Sequence, residues 1–152
     1  MSKSNFTYPP TIIIRSRKEK KHKCTIWPLK DRDDLILIHH PARYWPPLEE
    51  YFRLCEHGPP LTDADADRGI VLLDSSWRRV TGMLTDISHL PTRSLNGYQT
   101  AFPRTSRLGT DPDNGLASVE ALYLAYRILE RSTDGLLDHY LWANDFLQKN
   151  FP

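Results

Sequence analysis

Residues Ile70–Trp77 read IVLLDSSW, and this short segment indicates the class of fold. An unbroken apolar run of this kind is typical of a strand that is buried on both faces, as in a parallel sheet covered by helices. Asp74 follows the run directly, and Ser75 or Ser76 can cap a helix that carries Trp77. In open α/β sheets, ligands bind outside the carboxyl ends of the strands. The segment therefore predicts an α/β fold with a site at Asp74.

A purely structural interpretation of the same segment stays open. Asp74 could act only as a helix N-cap, and Trp77 could be an ordinary core aromatic residue. The spacing of the two residues does not separate this interpretation from a binding site.

The rest of the chain predicts a mostly parallel sheet flanked by helices. Two further apolar runs predict strands, Thr11–Ile14 and Leu35–His40. Apolar residues at helical spacing and capping residues predict helices over residues 46–58, Thr62–Asp67, 75–84, about Leu116–Arg131 and about Leu136–Lys149. A chain of 152 residues is long enough for one core, so residues 1–152 are expected to form a single domain with residues 1–10 as a loose tail.

The composition narrows the class of protein. The longest apolar runs are far shorter than the roughly 20 residues that a membrane span needs, and the N-terminus lacks the apolar core of a signal peptide. With two cysteines in the chain, we expect a reduced, cytoplasmic protein. The sequence lacks Cys-x-x-Cys, Gly-x-Ser-x-Gly and glycine-rich phosphate-binding motifs, so we expect no metal and neither a hydrolase nor a nucleotide-binding loop.

Positive charge is concentrated in one short stretch, although the net charge is only +1. Between residues 15 and 23 a single acidic residue, Glu19, stands among six basic ones: Arg15, Arg17, Lys18, Lys20, Lys21 and Lys23. Such a stretch can neutralise several phosphates and release their counterions. It could equally be a solvated loop or a targeting signal.

A second candidate binding feature follows a long loop. The segment His89–Gly115 is rich in turn-forming residues and has no lasting periodicity, which is typical of a functional loop. Leu116–Ala121 (LASVEA) then opens a helix, whose N-terminus can hold a carboxylate or a phosphate. An ordinary capped helix with Glu120 in its first turn explains the segment as well.

Taken in order, these segments resemble the small-subunit ribosomal RNA aminocarboxypropyltransferases and the related DTW-domain family, which modifies tRNA uridine. The matching pieces span the chain from about residue 12 to its end: Lys23-Cys24-Thr25, Ile70–Trp77, Leu90-Pro91, Ala101-Phe102-Pro103, Leu116–Ala121, Trp142 and Phe146. The resemblance implies a SPOUT-like fold with a C-terminal trefoil knot. It also implies transfer of the 3-amino-3-carboxypropyl group of S-adenosylmethionine to a uridine-type base in rRNA or tRNA.

The resemblance further assigns roles to individual residues. Leu73 would offer its backbone to the ribose, Trp77 and Val80 would enclose the methyl group, and Ser118 would hold the amino acid end. Thr25 would contribute to the same pocket, and the loop at Ala101, Phe102 and Pro103 would close on the adenine. Asp74 is the candidate general base, because attack requires a deprotonated ring nitrogen. The basic stretch would anchor RNA phosphates, with Arg93, Arg104 and Arg107 as lesser candidates.

Two alternatives stay open from the sequence. The first is an RNA methyltransferase of the same fold, which differs in the carbon that faces the RNA. The second is a non-catalytic RNA-binding or ribosome-assembly module. The oligomeric state is left open.

Overall fold

The computed structural model describes residues 7–17, 25–42, 44–55, 57–74, 87–103 and 115–152. In this part of the chain, five parallel strands form one sheet in the order β2-β1-β4-β3-β5. The strands are β1 Thr11–Ser16, β2 Leu35–His40, β3 Tyr51–Leu54, β4 Gly69–Asp74 and β5 Thr92–Arg93. The α-helices are α1 Ser118–Ile128 and α2 Ala143–Asn150, and short 3₁₀ turns cover Trp27–Leu29 and Asp63–Asp65. The predicted α/β class with a mostly parallel sheet is confirmed.

Hydrophobic layers cover both faces of the sheet. On one face Ile13 and Leu72 belong to a cluster with residues of α1 and α2, including Leu122 and Phe146. On the other face a smaller cluster comprises Ile12, Ile14, Tyr51, Val71, Ile87 and Leu90. Burial on both faces explains why β1 and β4 consist of unbroken apolar runs. Across the described residues, no helix has the length and apolarity needed to cross a membrane.

The predicted helix over residues 46–58 is wrong, because Tyr51–Leu54 forms strand β3. Four residues of this segment match helical spacing: Leu48, Tyr51, Phe52 and Cys55. The segment also places apolar side chains on the two opposite faces of the sheet. Phe52 and Leu54 pack in the cluster with α1, whereas Tyr51 packs on the other side of the sheet. Aromatic residues favour strands, and a short strand buried on both faces has no diagnostic period.

Three other boundaries differ from the sequence predictions. The last helix begins at Ala143 rather than near Leu136. Residues 133–140 instead form successive turns, each closed by a hydrogen bond between residues three positions apart, and Gly135 among them has a φ of 80°. The loop 89–115 contributes edge strand β5 to the sheet. The helix predicted over Thr62–Asp67 is a 3₁₀ turn, and the Thr62 hydroxyl caps it by accepting a hydrogen bond from the Ala64 N–H. The helix predicted over residues 75–84 lies outside the described residues.

Polar contacts join several segments of the chain near the amino ends of the strands. The Thr11 and Tyr126 hydroxyls share a buried hydrogen bond of 2.8 Å, and burial raises the pKa of Tyr126. Arg131 lies 3.8 Å above the ring of Tyr8 and donates to the carbonyls of Ala66 and Arg68, while burial lowers its pKa. Tyr8 of the expected loose tail is therefore packed against the domain.

Gly69 provides a test of packing where β4 begins beside Tyr51. A Cβ at Gly69 would lie 2.4 Å from the Tyr51 ring, whose hydroxyl donates a 2.6 Å hydrogen bond to the Pro10 carbonyl. Gly69→Ala should therefore destabilise the protein by about 1–3 kcal/mol, measured as the free energy of unfolding in urea. In a Tyr51→Leu background the cost of the same substitution should largely disappear. An equal cost in both backgrounds would contradict the proposed clash.

Candidate functional site

The site lies at the carboxyl ends of three adjacent strands. The parallel register pairs Arg15 of β1 with His39 of β2 on one side and with Asp74 of β4 on the other. Residues paired in this way project to the same face of a sheet. His39, Arg15 and Asp74 therefore form a row on the face that α1 covers, which is the edge where the fold class places ligands.

Asp74 links the sheet to the start of α1. The Ser118 hydroxyl donates a hydrogen bond of 2.5 Å to one Asp74 carboxylate oxygen, and the Arg15 Nε lies 3.8 Å from the other. The Asp74 side chain is 11% exposed and that of Arg15 is 2% exposed. The carboxylate thus lies between a cation on one strand and a hydroxyl donor on the helix. The structure thus brings together Asp74 and Ser118, two residues that the sequence placed in one pocket.

Thr25 also lies at the first turn of α1. Its hydroxyl oxygen accepts a hydrogen bond of 3.1 Å from the Val119 N–H. This contact satisfies one of the amides that a helix leaves unpaired at its N-terminus. The residues after Thr25 form the 3₁₀ turn that brings the Trp27 ring to 5.3 Å from the Arg15 guanidinium. Arg15 and Ser118 therefore contact Asp74 directly, and Thr25 is fixed one residue further along the same helix turn.

A buried carboxylate, Glu120, fastens a loop to the same helix turn. One of its oxygens accepts hydrogen bonds from the Thr100 hydroxyl at 2.6 Å and the Ala117 N–H at 2.8 Å. The other accepts from the Ala101 N–H at 2.8 Å and the Tyr140 hydroxyl at 2.9 Å. The Glu120 residue is completely buried. The sequence indicated only a first-turn glutamate, because three of its four partners come from distant segments.

Aromatic residues support the outer side of this loop. The Phe102 ring packs edge-on against Trp142 at 5.2 Å between centroids, and Trp142 packs against Tyr140 at 5.9 Å. Ala101 and Phe102 are half-buried and Pro103 is exposed. The loop predicted to contact the adenine therefore rests on residues that precede and begin α2.

The remaining predicted site residues are distributed as follows. The side chain of Leu73 packs in the cluster on the opposite face of the sheet, so only its backbone can face the site. Arg17 is exposed at the end of β1, and Arg93 lies 3.1 Å from an Asp65 carboxylate oxygen. Several predicted residues lie outside the described residues: Trp77, Val80, Lys18, Lys20, Lys21, Lys23, Arg104 and Arg107.

Arg15 is the predicted phosphate contact whose surroundings differ most from that role. Its side chain is 2% exposed and faces Asp74 and Trp27. Phosphate contacts are made by side chains that reach the surface. The position of Arg15 opposite Asp74 in the strand register is the signal that could have predicted its burial. Deriving that register requires the order of the strands as well as the sequence.

A separate shallow cleft of about 240 Å³ lies away from these residues. It is lined by Pro28, Leu29, Asp31, Arg32, Gly135 and His139. Clefts that hold a small ligand usually enclose at least about 300 Å³. In the described ranges, no three His, Cys, Asp or Glu side chains are grouped closely enough to hold a metal ion.

Comparison with solved structures shows a likeness in fold. No family model and no curated protein matches the sequence. The fold is similar to that of the SAM-dependent rRNA:acp-transferase Tsr3 from Vulcanisaeta distributa, with a TM-score of 0.69 and 22% sequence identity. The match covers 92% of this chain and 77% of that one. The resemblance inferred from the sequence is therefore confirmed at the level of the fold.

Proposed function

We propose that this protein transfers the 3-amino-3-carboxypropyl group of S-adenosylmethionine to a uridine-type base of ribosomal RNA. The observation that carries the proposal is the 2.5 Å hydrogen bond between Ser118 and Asp74, which joins a strand end to a helix N-terminus. The Tsr3-like fold supports the reaction class. We also propose the SPOUT-type trefoil knot that the resemblance implies, together with a cytoplasmic location.

The charges of the described residues fit the amino acid end of S-adenosylmethionine. That end carries an ammonium and a carboxylate, and the bound sulfonium is positive. The N-terminus of α1 offers the positive end of the helix dipole to the carboxylate, with Ser118 and Thr25 at its first turn. The Asp74 carboxylate supplies a negative group beside it. The helix N-terminus thus opposes the carboxylate of the ligand, and Asp74 opposes its positive end.

The remaining contacts to the co-substrate follow from the resemblance. The Leu73 backbone is proposed to bind the ribose, and Ala101, Phe102 and Pro103 the adenine. Trp77 and Val80 are proposed to enclose the methyl group, which leaves the longer arm of the sulfonium for the incoming base. Selection of one carbon among the three attached to sulfur is a matter of orientation.

In the proposed reaction, Asp74 accepts the proton of the attacking ring nitrogen. A bond forms between this nitrogen and the Cγ of the methionine arm, and the bond between Cγ and sulfur breaks. The electron pair of that bond goes to sulfur, so the sulfonium becomes the neutral thioether methylthioadenosine. The carboxylate returns its proton to water after product release. Bound S-adenosylmethionine supplies the activated carbon, and the protein supplies the base and the alignment.

RNA is proposed to approach along the basic stretch at the end of β1. RNA phosphates would be contacted by five side chains of this stretch: Arg17, Lys18, Lys20, Lys21 and Lys23. Such contacts position the RNA without reading its sequence. We assign Arg15 to the pocket rather than to a phosphate, because its guanidinium is buried beside Asp74. The substrate nucleotide would then enter next to Arg17, the exposed residue at the end of β1.

Analysis of the nucleoside by-product tests the proposed function. The protein is incubated with S-adenosylmethionine and total cellular RNA, and the small molecules are separated by chromatography and mass spectrometry. Methylthioadenosine should accumulate, and digestion of separated RNA fractions should place the modified uridine in rRNA. S-adenosylhomocysteine would instead identify a methyltransferase, and neither product would favour a binding module. Modification confined to tRNA would correct the substrate but not the reaction.

A further inference from the structure

The segment Ala101–Pro103 has no backbone N–H to offer a ligand. The Ala101 N–H donates to Glu120 at 2.8 Å, and the Phe102 N–H donates to the Thr100 hydroxyl oxygen at 3.0 Å. Proline at position 103 has no N–H. Carbonyl oxygens are therefore the hydrogen-bonding groups that the backbone of this segment can turn towards a ligand, and carbonyl oxygens only accept.

We infer that Glu120 is a positioning residue that makes this segment selective for a 6-amino purine. The inference rests on the proposed function, in which the segment closes on adenine. The exocyclic amino group of adenine is a donor and complements a carbonyl oxygen. A 6-oxo purine presents an acceptor at the same place, so two acceptors would face each other without a hydrogen.

Glu120 is suited to this role because its carboxylate accepts hydrogen bonds from both the loop and the start of α1. It belongs to the first turn of α1, which also carries Ser118. It accepts two hydrogen bonds from the loop and one from the helix start, and its fourth comes from the Tyr140 hydroxyl. Charged acceptors form stronger hydrogen bonds than neutral ones. The distance between the adenine loop and the helix N-terminus is consequently set by one buried side chain.

Glutamine at position 120 would disrupt this arrangement while preserving its shape. Each carboxylate oxygen accepts from one hydroxyl and one backbone N–H. A hydroxyl can turn and accept from an NH₂ group, but a backbone N–H cannot, so replacement of either oxygen sets the new donor against one backbone donor. The N–H of Ala101 or that of Ala117 then loses its partner, and the loop can shift relative to the helix start. The N–H of Ala101 is released for a ligand when it loses that partner, which weakens the preference for an amino group.

Binding of two nucleosides to the wild-type protein tests the selectivity without any substitution. Methylthioadenosine and its 6-oxo analogue methylthioinosine are titrated by calorimetry. The 6-oxo analogue should bind at least about tenfold more weakly, because a polar group of the site would be left unpaired. Equal binding of the two would overturn the inference. Binding of neither methylthioadenosine nor S-adenosylmethionine would overturn the proposed function itself, which is a distinguishable result.

The Glu120→Gln variant tests the positioning role. Its affinity for S-adenosylmethionine should fall about tenfold or more, and the ratio of methylthioadenosine to methylthioinosine affinity should move towards one. Glu49→Gln is the matched control, since Glu49 is exposed, and it should keep both values. A merely structural glutamate would lower the unfolding temperature without changing the ratio, and that result would overturn the role assigned to Glu120.

Discussion

Replacing Asp74 with asparagine should slow aminocarboxypropyl transfer by about 10²- to 10⁴-fold, which is the usual contribution of a positioned general base. The asparagine carbonyl can still accept the 2.5 Å hydrogen bond from Ser118, so the pocket should keep its shape. The substitution removes the group that takes the proton from the attacking nitrogen. The rate of methylthioadenosine release in a single turnover, at saturating RNA, measures the effect.

Binding measurements on the same variant separate catalysis from assembly of the site. Asp74→Asn should bind RNA within a few-fold of the wild-type affinity, whereas its affinity for S-adenosylmethionine should fall because the positive groups of the ligand lose the opposite charge. The rate is therefore compared at saturating S-adenosylmethionine. Asp67→Asn provides the matched control, because Asp67 is exposed on the loop before β4 and should leave the rate unchanged. If Asp74→Asn bound both substrates normally and reacted at the wild-type rate, Asp74 would not be the base.

The parts of the fold that the sequence predicted are those in which local pattern and tertiary position agree. β1, β2 and β4 are apolar runs bounded by polar or turn residues, and all three form as predicted. Helix α1 has a capping sequence and one apolar face, and its centre is correct although its ends are shorter than predicted. Local signals sufficed there because each element is stabilised by its own pattern as well as by packing.

Strand β3 and the early part of the last helix were missed for a different reason. Tyr51–Leu54 is too short to show a period, and it forms a strand because β4 and β5 pair with its two edges while hydrophobic clusters cover its two faces. Residues 136–142 carry apolar side chains at helical spacing, yet the structure there forms successive turns whose hydrogen bonds join residues three positions apart. In both cases tertiary contacts decide between conformations that the local sequence permits equally.

The site shows the same division. Asp74 was identified because a carboxylate at the end of an apolar run is visible in one segment of sequence. The role of Glu120 could not be identified in this way, because three of its partners are distant in the sequence. Ala101 lies 19 positions away, and Thr100 and Tyr140 each lie 20 positions away. The environment of Arg15 depends on β1 pairing with β4, which is not its neighbour in the chain. Residues with long-range contacts are therefore the ones whose surroundings sequence patterns do not show.

Arg15→Met should destabilise the protein by about 3 kcal/mol, because it leaves the enclosed Asp74 carboxylate without its neighbouring cation. Methionine fills a similar unbranched volume, so the loss should reflect charge more than packing. Urea unfolding measures the change. A surface arginine that contacts phosphate would behave differently: its loss would leave the free energy of unfolding unchanged and lower the salt dependence of RNA binding by about one unit.

A double-mutant cycle shows whether this loss comes from the pair. Combining Arg15→Met with Asp74→Asn removes both charges, so the double variant should be about 2 kcal/mol more stable than the sum of the single changes predicts. Arg17→Met is the control two residues along, where the side chain is exposed and the change should stay within about 0.5 kcal/mol. Additive effects in the cycle would mean that Arg15 does not stabilise Asp74. Coupling would show instead that the charge of the candidate base is maintained by the adjacent strand, and that the arginine belongs to the pocket.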